Sequence, residues 1–153
     1  MSRRDQIEMT QDELRAFLDE QRTVICATNG VRGWPHLMPL WYVIRGADIW
    51  AWTYAKSQKV RNLERDARAT LQIETGDSYD QLRGVMFEGT ATVHRDTGEV
   101  AAVGAEILAR YGGGAVNADV NDAILAQARK RVGLQFVIQR TASWDHRKLG
   151  GTY

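Results

Sequence analysis

Short apolar runs separated by tight glycine turns are the feature that most limits how this chain can fold. The run Thr23 to Thr28 is rich in strand-forming residues and is broken by Asn29-Gly30. A second run, His36 to Ile44, ends at Gly46-Ala47-Asp48, and a third extends from Ile49 to Tyr54. Because strands joined by such short turns pair with their neighbours, the three runs predict an antiparallel meander.

The rest of the sequence extends this meander. Three further strands are predicted, at Ala69 to Glu74, Arg83 to Val93 and Leu134 to Gln139. Gly84 and Gly89 lie inside the longest of them, which is typical where a sheet coils into a barrel. Pro39 has no N–H to donate, so the second strand should have an edge or a bulge there. Six strands with local connections favour an antiparallel barrel, closed or partly closed, over a doubly wound parallel sheet.

Helices are expected around this barrel and before its last strand. Thr10-Gln11-Asp12-Glu13 is a capping box that predicts a helix start. The other predicted helices are Gln58 to Arg65, Gly98 to Tyr111 and Ala118 to Val132, the last two separated by Gly112-Gly113-Gly114. The tail Ser143 to Leu149 is expected to end the fold. The predicted class is therefore mostly β with peripheral α, in a single domain spanning residues 1–153.

Composition excludes several classes of protein. Charged residues make up 25% of the chain but the net charge is +1, which gives no overall field to hold a nucleic acid or an anionic membrane. No run approaches the roughly 18 apolar residues that span a bilayer. The basic start Met1 to Arg4 is followed by polar and acidic residues, so no signal peptide is expected. Cys26 is the only cysteine, which fits a reducing, cytoplasmic location.

Motifs for metal or nucleophile chemistry are absent from the sequence. His36, His94 and His146 are widely separated, and no His-x-x-x-His or Cys-x-x-Cys spacing occurs, so no metal site is predicted. No Gly-x-Ser-x-Gly elbow and no Walker loop are present. An aromatic strand beside basic residues is also found in oligonucleotide platforms. Those platforms normally carry a broader basic surface, so no nucleic-acid partner is expected.

The segment from Trp50 to Leu63 carries an unusual charge pattern. An aromatic strand turns there into a helix whose N-cap is Ser57. Lys56, Lys59 and Arg61 crowd the positive end of that helix, where each cation costs about 0.3–1 kcal/mol. Cations, a hydroxyl and free N–H groups at a helix start can receive a phosphate, and a solvated basic helix end is the alternative. A phosphate site beside an aromatic barrel wall suits a flavin, a deazaflavin or a pyridoxal derivative.

The order of these residues resembles the flavin/deazaflavin split-barrel superfamily, which includes pyridoxamine 5′-phosphate oxidases and actinobacterial deazaflavin-dependent oxidoreductases. The resemblance rests on Gly33-Trp34-Pro35-His36 and on the segment from Trp52 to Leu63, above all its Lys59-Val60-Arg61-Asn62-Leu63. The segment continues to Leu71, with Ala67 where the family often has proline. The resemblance implies a six-stranded split barrel and a homodimer, with each cofactor in a cleft shared by both subunits.

The resemblance also implies where the cofactor lies. Ser57 and Lys59 fall where the family holds the cofactor phosphate, and the strand from Leu37 to Tyr42 matches the one whose backbone borders the ring. Trp144 falls near a C-terminal tryptophan that closes the site in flavin-using members, with a core or interface role as its alternative. The expected cofactor-binding residues are His36, Leu37, Met38, Pro39, Leu40, Thr53, Lys56, Ser57, Lys59, Asn62 and Trp144.

The activity implied by the resemblance is hydride transfer from reduced deazaflavin (coenzyme F420) to an unsaturated small-molecule acceptor. Aromatic lining indicates that this acceptor is flat and apolar, and His36 and Tyr42 are the candidate proton donors. An FMN-dependent enzyme like pyridoxamine 5′-phosphate oxidase is the first alternative. A cofactor- or haem-binding module without turnover is the second.

The choice between F420 and FMN depends on charge and on chain length. The compact chain and its N-terminal helix are similar to the deazaflavin group. That cofactor carries a polyanionic tail, which Lys56, Arg61 and the N-terminal Arg3 and Arg4 would meet. Asp145-His146-Arg147 matches only part of the C-terminal motif of true pyridoxamine phosphate oxidases. The sequence therefore favours F420, with FMN as the alternative.

Overall fold

A computed structural model describes residues 1–112 and 118–151, and one antiparallel sheet dominates it. Its strands are β1 (Val24–Asn29), β2 (Pro35–Leu40), β3 (Val43–Arg45), β4 (Asp48–Tyr54), β5 (Arg68–Thr75), β6 (Arg83–His94) and β7 (Arg131–Asp145). The α-helices are α1 (Arg3–Ile7), α2 (Gln11–Glu20), α3 (Gln58–Arg65), α4 (Thr97–Tyr111) and α5 (Asp122–Ala128). Short 3₁₀ helices lie at Tyr79–Gln81 and His146–Leu149.

The order of the strands leaves the barrel split. The strands follow one another as β2-β1-β5-β6-β7-β4-β3, with every described pair antiparallel, so β2 and β3 form the two edges. The expected class is confirmed: a mostly β antiparallel fold with an N-terminal helix and with helices before the last strand. Seven strands replace the expected six because the predicted strand His36 to Ile44 is interrupted at Trp41-Tyr42. There the N–H of Tyr42 donates to the hydroxyl of Tyr111 (3.1 Å) instead of to a strand.

Alternation along β4 separates a core face from an outer face. Ile49 and Ala51 are buried inside the barrel, where they pack with core residues of β7. Trp50 and Trp52 lie on the other face, under α4. Gly104 of α4 approaches Trp52 so closely that an added Cβ would lie 2.3 Å from the indole ring. The helix therefore fixes the position of Trp52.

The N-terminal segment holds two helices where one was predicted. The capping box of α2 is present, since the Thr10 hydroxyl accepts from the N–H of Glu13 (3.2 Å) and the Glu13 carboxylate accepts from that of Thr10 (2.8 Å). The extra helix α1 has its own box between Ser2 and Asp5. Arg3 and Arg4 are therefore both part of a helix.

The last strand differs most from expectation. β7 covers 15 residues, whereas Leu134 to Gln139 was predicted, and α5 is correspondingly shorter than the predicted helix Ala118 to Val132. Opposite Glu88 and Gly89 the register shifts by one residue, which leaves Gln139 as the extra residue of a β-bulge. Residues with even numbers from Val132 to Phe136 are buried before the bulge, and the odd-numbered Ser143 and Asp145 are buried after it.

Two remaining expectations concern the chain outside the sheet. Gly113 and Gly114 of the predicted glycine link lie outside the described residues. Within residues 1–112 and 118–151, no helix has both the length and the apolar character needed to cross a bilayer.

Candidate functional site

A cleft of about 570 Å³ lies where β2, the end of β4 and α3 meet the start of β7. Its walls are Thr23, Pro39, Leu40, Trp41, Trp52, Thr53, Tyr54, Lys59, Leu108 and Arg131. Four of the expected cofactor-binding residues thus meet in one cleft: Pro39, Leu40, Thr53 and Lys59. Since β2 is an edge strand, the backbone groups on its outer side have no strand to pair with in the described sheet.

Lys59 is the most unusual side chain of this cleft. It is only 7% exposed, and its ammonium donates to the hydroxyl of Thr53 (Nζ–Oγ1 3.0 Å). It forms no ion pair with any carboxylate in the described part of the chain, and burial lowers the pKa of the ammonium. A buried cation without a counterion lowers stability, so the cleft provides a place where an anion would be stabilised.

Ser57 lies at the N-cap of α3 but does not act as a cap. Its backbone is extended, and its side chain accepts no hydrogen bond from the first turn. The hydroxyl is buried and has no partner among the residues that the structure describes. No acidic residue lies in that first turn. The free N–H groups of the helix start are therefore not neutralised by a side chain of their own turn.

Asn62 and Lys56 flank this corner in different ways. Asn62 is fully buried, its amide donates to the Thr28 hydroxyl (3.0 Å), and its carbonyl accepts from Gln58 (2.9 Å). These bonds tie α3 to β1, which makes Asn62 a residue that positions the helix. Lys56 is exposed just before the N-cap.

Strand β2 carries the remaining predicted residues. Leu40 is buried in the core, whereas Leu37 is 57% exposed and Met38 is exposed beside it. His36 is half-buried and lines a small cavity of about 210 Å³ next to Gln58 of α3. Its Nδ1 is buried and has no hydrogen-bond partner among the described residues. His36 therefore keeps a ring nitrogen available beside the start of α3.

Tyr42, the other candidate proton donor, is occupied elsewhere. The side chain is fully buried, and its hydroxyl donates to the backbone carbonyl of Leu18 at 2.6 Å. The guanidinium of Arg110 lies 4.4 Å from the ring centre, and burial raises the pKa of the hydroxyl. These contacts join α2 and α4 to the segment between β2 and β3, and Tyr42 does not line the cleft. The geometry therefore gives Tyr42 a structural role.

Trp144 lies at the opposite end of β7 from the cleft. It is 13 positions beyond Arg131 in the same strand, roughly 40 Å along it at 3.3 Å per residue. Its indole N–H donates to Glu74 (3.0 Å), and with Arg4 it lines a separate cavity of about 440 Å³. Within a single chain, therefore, Trp144 and Arg4 do not line the Lys59 cleft.

Of the six cleft residues outside the expected list, Arg131 and Trp41 have the most distinctive contacts. Arg131 lies with its guanidinium carbon 4.6 Å from the Trp52 ring centre and 4.1 Å from that of Tyr54. Trp41 is half-exposed and stacks on Tyr111, with ring centres 4.6 Å apart and planes 7° from parallel. Arg131 was missed because it fell in a predicted helix. The shared face of Trp52 and Tyr54 was the available signal that a cation would stack there.

The described residues also give no candidate metal centre. No group of three or more His, Cys, Asp or Glu side chains in residues 1–112 and 118–151 is arranged to hold a metal ion.

Comparison with known proteins identifies a family. Residues 10–145 match the family model described as pyridoxamine 5′-phosphate oxidase. A solved structure of the conserved hypothetical protein Rv2991 from Mycobacterium tuberculosis is 40% identical with a TM-score of 0.89, and the match covers 100% of this chain and 95% of that one. No protein with a curated description matches this chain.

More distant structures share the fold at low identity. An F420 reductase is 18% identical with a TM-score of 0.65, over 83% of this chain and 94% of that one. The haem storage protein HutZ from Vibrio cholerae is 18% identical with a TM-score of 0.66, over 85% of this chain and 90% of that one. Because the family model spans most of the sequence, the chain belongs to the pyridoxamine 5′-phosphate oxidase family, within the flavin-binding split-barrel superfamily.

Proposed function

We propose that this protein is an oxidoreductase that binds coenzyme F420 in the Lys59 cleft and transfers a hydride to an unsaturated small-molecule acceptor. The observation that carries the proposal is the buried ammonium of Lys59, which has no carboxylate partner among the described residues. A stability cost of this kind is retained in proteins mainly where it serves binding or catalysis.

The residues at the start of α3 fit a phosphate group. The Ser57 hydroxyl is buried without a partner in the described chain, and Lys59 follows two residues later in the first turn of the same helix. Phosphate oxygens accept hydrogen bonds from hydroxyls, ammonium groups and helix N–H groups, which are the donors present here. The Thr53 hydroxyl, already bonded to Lys59, would hold the ammonium in place.

Each residue of the site would then have a distinct task. When bound, the cofactor supplies a flat ring that carries a hydride. Lys59 and Ser57 would hold the phosphate, and the free edge of β2 would border the ring. His36 lines the smaller cavity beside Gln58 and not the Lys59 cleft, so its unpartnered Nδ1 would move a proton only for a group that reaches that cavity. Orientation and exclusion of water by the cleft walls would supply the rest of the rate enhancement.

A homodimer with cofactor sites at the subunit interface is part of this proposal. Leu37, Met38 and Ile25 are exposed apolar residues on or beside the edge strand β2. A second copy would cover them and would protect the edge from unwanted pairing. Trp144, which lies far from the cleft in its own chain, would then serve the site of the other subunit.

Two alternatives have support of their own. FMN is the alternative cofactor because the chain belongs to the pyridoxamine 5′-phosphate oxidase family, and a fold neighbour from Mesorhizobium loti, 16% identical with a TM-score of 0.63, is an FAD-binding protein. The likeness in fold to a haem storage protein supports the second alternative, a cofactor- or haem-binding module without turnover.

Fluorescence titration of the purified protein with F420 and with FMN tests the proposal. We expect F420 to bind more tightly, and Lys59→Met to weaken it by about tenfold to a hundredfold, because charge-assisted hydrogen bonds to the phosphate are lost. Lys130→Met is the matched control, since Lys130 is exposed and lies outside the cleft.

Three results would redirect the assignment. Unchanged F420 affinity in Lys59→Met would overturn the phosphate site. A yellow protein with a flavin spectrum and tighter FMN binding would favour the FMN-dependent enzyme. Tight binding without hydride transfer to any quinone, enone or tetrapyrrole would favour the binding module.

A further inference from the structure

Arg131, the first residue of β7, is held in a fixed orientation. Its guanidinium lies between the rings of Trp52 and Tyr54, at 4.6 and 4.1 Å from their centres. Trp52 is itself fixed by its close contact with Gly104 of α4. Contacts to two rings restrict the rotamers of a long side chain, so less conformational freedom remains to be lost when the guanidinium binds a ligand.

The guanidinium is positioned but not used within the fold. Its Nε is buried and has no hydrogen-bond partner in residues 1–112 and 118–151. No ion pair joins Arg131 to any described carboxylate, whereas seven other arginines among the described residues form one, such as Arg45 with Glu106. A guanidinium has five N–H donors in a planar fork that matches a carboxylate. No described residue bonds the Nη groups of Arg131 either, and since Arg131 lines the cleft these groups are available to a ligand there.

The walls beside Arg131 determine what kind of ligand fits. Lys59 and Arg131 are the two charged residues among the ten that line the cleft, so its formal charge is positive. Trp41 lines the same cleft and, held by stacking on Tyr111, offers a flat apolar surface. Leu108 adds an aliphatic surface beside it. The combination of aromatic walls with a second cation favours a flat ligand that is also anionic.

We propose that Arg131 binds a carboxylate of the molecule seated in this cleft, so that the preferred acceptor is a flat, unsaturated carboxylate. The proposal rests on the proposed function in one respect, since Lys59 is already assigned to the cofactor phosphate. Arg131 then forms a second anion subsite. An acceptor that is flat and wholly apolar would leave this subsite empty. The carboxylate has two sources: the acceptor itself, or the polyanionic tail of the cofactor.

Calorimetric titration without added cofactor tests the subsite directly. The probes are 2-naphthoate and its neutral amide, 2-naphthamide, which have the same ring system. We expect the wild-type protein to prefer the carboxylate, and Arg131→Gln to weaken naphthoate binding by about tenfold or more while naphthamide binding changes little. Arg131→Lys should restore only part of the preference, because an ammonium lacks the planar fork.

A second arm distinguishes the two sources of the carboxylate. F420 with its glutamyl tail and the same cofactor without the glutamates are titrated against both proteins. If Arg131→Gln weakens only the form with the tail and does not change naphthoate binding, the carboxylate belongs to the cofactor. Arg129→Gln is the matched control, because Arg129 is exposed two residues earlier and does not line the cleft.

The outcomes also separate this proposal from the function on which it rests. Failure of F420 to bind would overturn the proposed function, yet a naphthoate preference that depends on Arg131 would still support the subsite. If folded Arg131→Gln protein, verified by its thermal melting curve, binds all four ligands as the wild type does, the subsite is wrong.

Discussion

The two ends of β7 hold clusters of cations that differ in their pairing. At the far end, Arg147 forms two hydrogen bonds with Asp145 (2.9 and 2.7 Å), and the neighbouring Lys148 contacts Glu13 (2.6 Å). Near the start of the strand, the cations of the cleft have no carboxylate partners among the described residues. The same strand therefore has cations paired with carboxylates near one end and cations without described carboxylate partners near the other.

The difference separates cations that stabilise the fold from cations that are available for ligands. A buried or half-buried ion pair with additional hydrogen bonds holds its segments in place, and removing one partner is costly. A buried cation without a partner lowers stability and is best explained by what it binds. The two ends should therefore respond to loss of a charge with changes of opposite sign.

The largest effect is expected at the paired end. Arg147→Gln should lower the free energy of unfolding by about 2 kcal/mol, because it leaves the carboxylate of Asp145, which is 8% exposed, without its guanidinium. Urea denaturation measures this loss. Arg140→Gln is the control, since Arg140 and Glu88 are both exposed, and it should change stability by less than about 1 kcal/mol.

The same pair gives a dependence on pH with a definite sign. Hydrogen bonds from Arg147 hold the pKa of Asp145 below its ordinary value of 3.8. The stabilisation is therefore present above that value and is lost as the pH falls through the lower folded-state pKa. The difference between the wild type and Arg147→Gln should shrink in acid, and a constant difference would contradict this assignment.

The unpaired end should behave in the opposite way, with a smaller magnitude. Lys59→Met should raise the free energy of unfolding of the protein without cofactor by about 1 kcal/mol, while F420 binding is weakened. Burial lowers the pKa of Lys59 below 10.5, so the wild type should gain stability relative to the variant as the pH rises towards that value. Thermal melts at increasing pH measure the difference, and a less stable Lys59→Met protein would disprove the comparison.

The smallest effect is expected at Tyr42, a buried polar group whose bonds are all internal. Tyr42→Phe should cost only about 0.5 kcal/mol, because the Leu18 carbonyl keeps a second donor in Arg110 (2.7 Å). Denaturant unfolding provides the value. If turnover were lost in a variant with wild-type stability, Tyr42 would again be a candidate proton donor.

Local signals in the sequence were sufficient for the elements that position the phosphate corner. The helix Gln58 to Arg65 was predicted with the bounds that the structure has, and the predicted strand Ile49 to Tyr54 starts one residue late. A serine at the N-cap position and strict alternation are local features of the sequence, so no knowledge of the tertiary structure was needed, even though the Ser57 hydroxyl makes no capping bond.

Long-range contacts determined what the sequence did not reveal. The predicted strand Leu134 to Gln139 ended at the bulged residue, where alternation of buried side chains reverses and a period-two pattern is lost. The break at Trp41-Tyr42 depends on a bond to Tyr111, 69 residues away. Arg131 lies in the cleft because β7 pairs with β4, which places Arg131 opposite Tyr54. None of these partners is close in sequence.

The bulge at Gln139 also determines which changes of chain length β7 tolerates. Removal of this one residue would leave Ile138 opposite Gly89 and Arg140 opposite Glu88, so the ladder would become regular while Asp145 kept its buried face. Removal of a second residue, with the pairing before the bulge kept, would turn Asp145 outward and Trp144 inward. Homologous chains that keep the paired cations at the far end should therefore be able to lack the bulged residue itself, but not a second residue beside it.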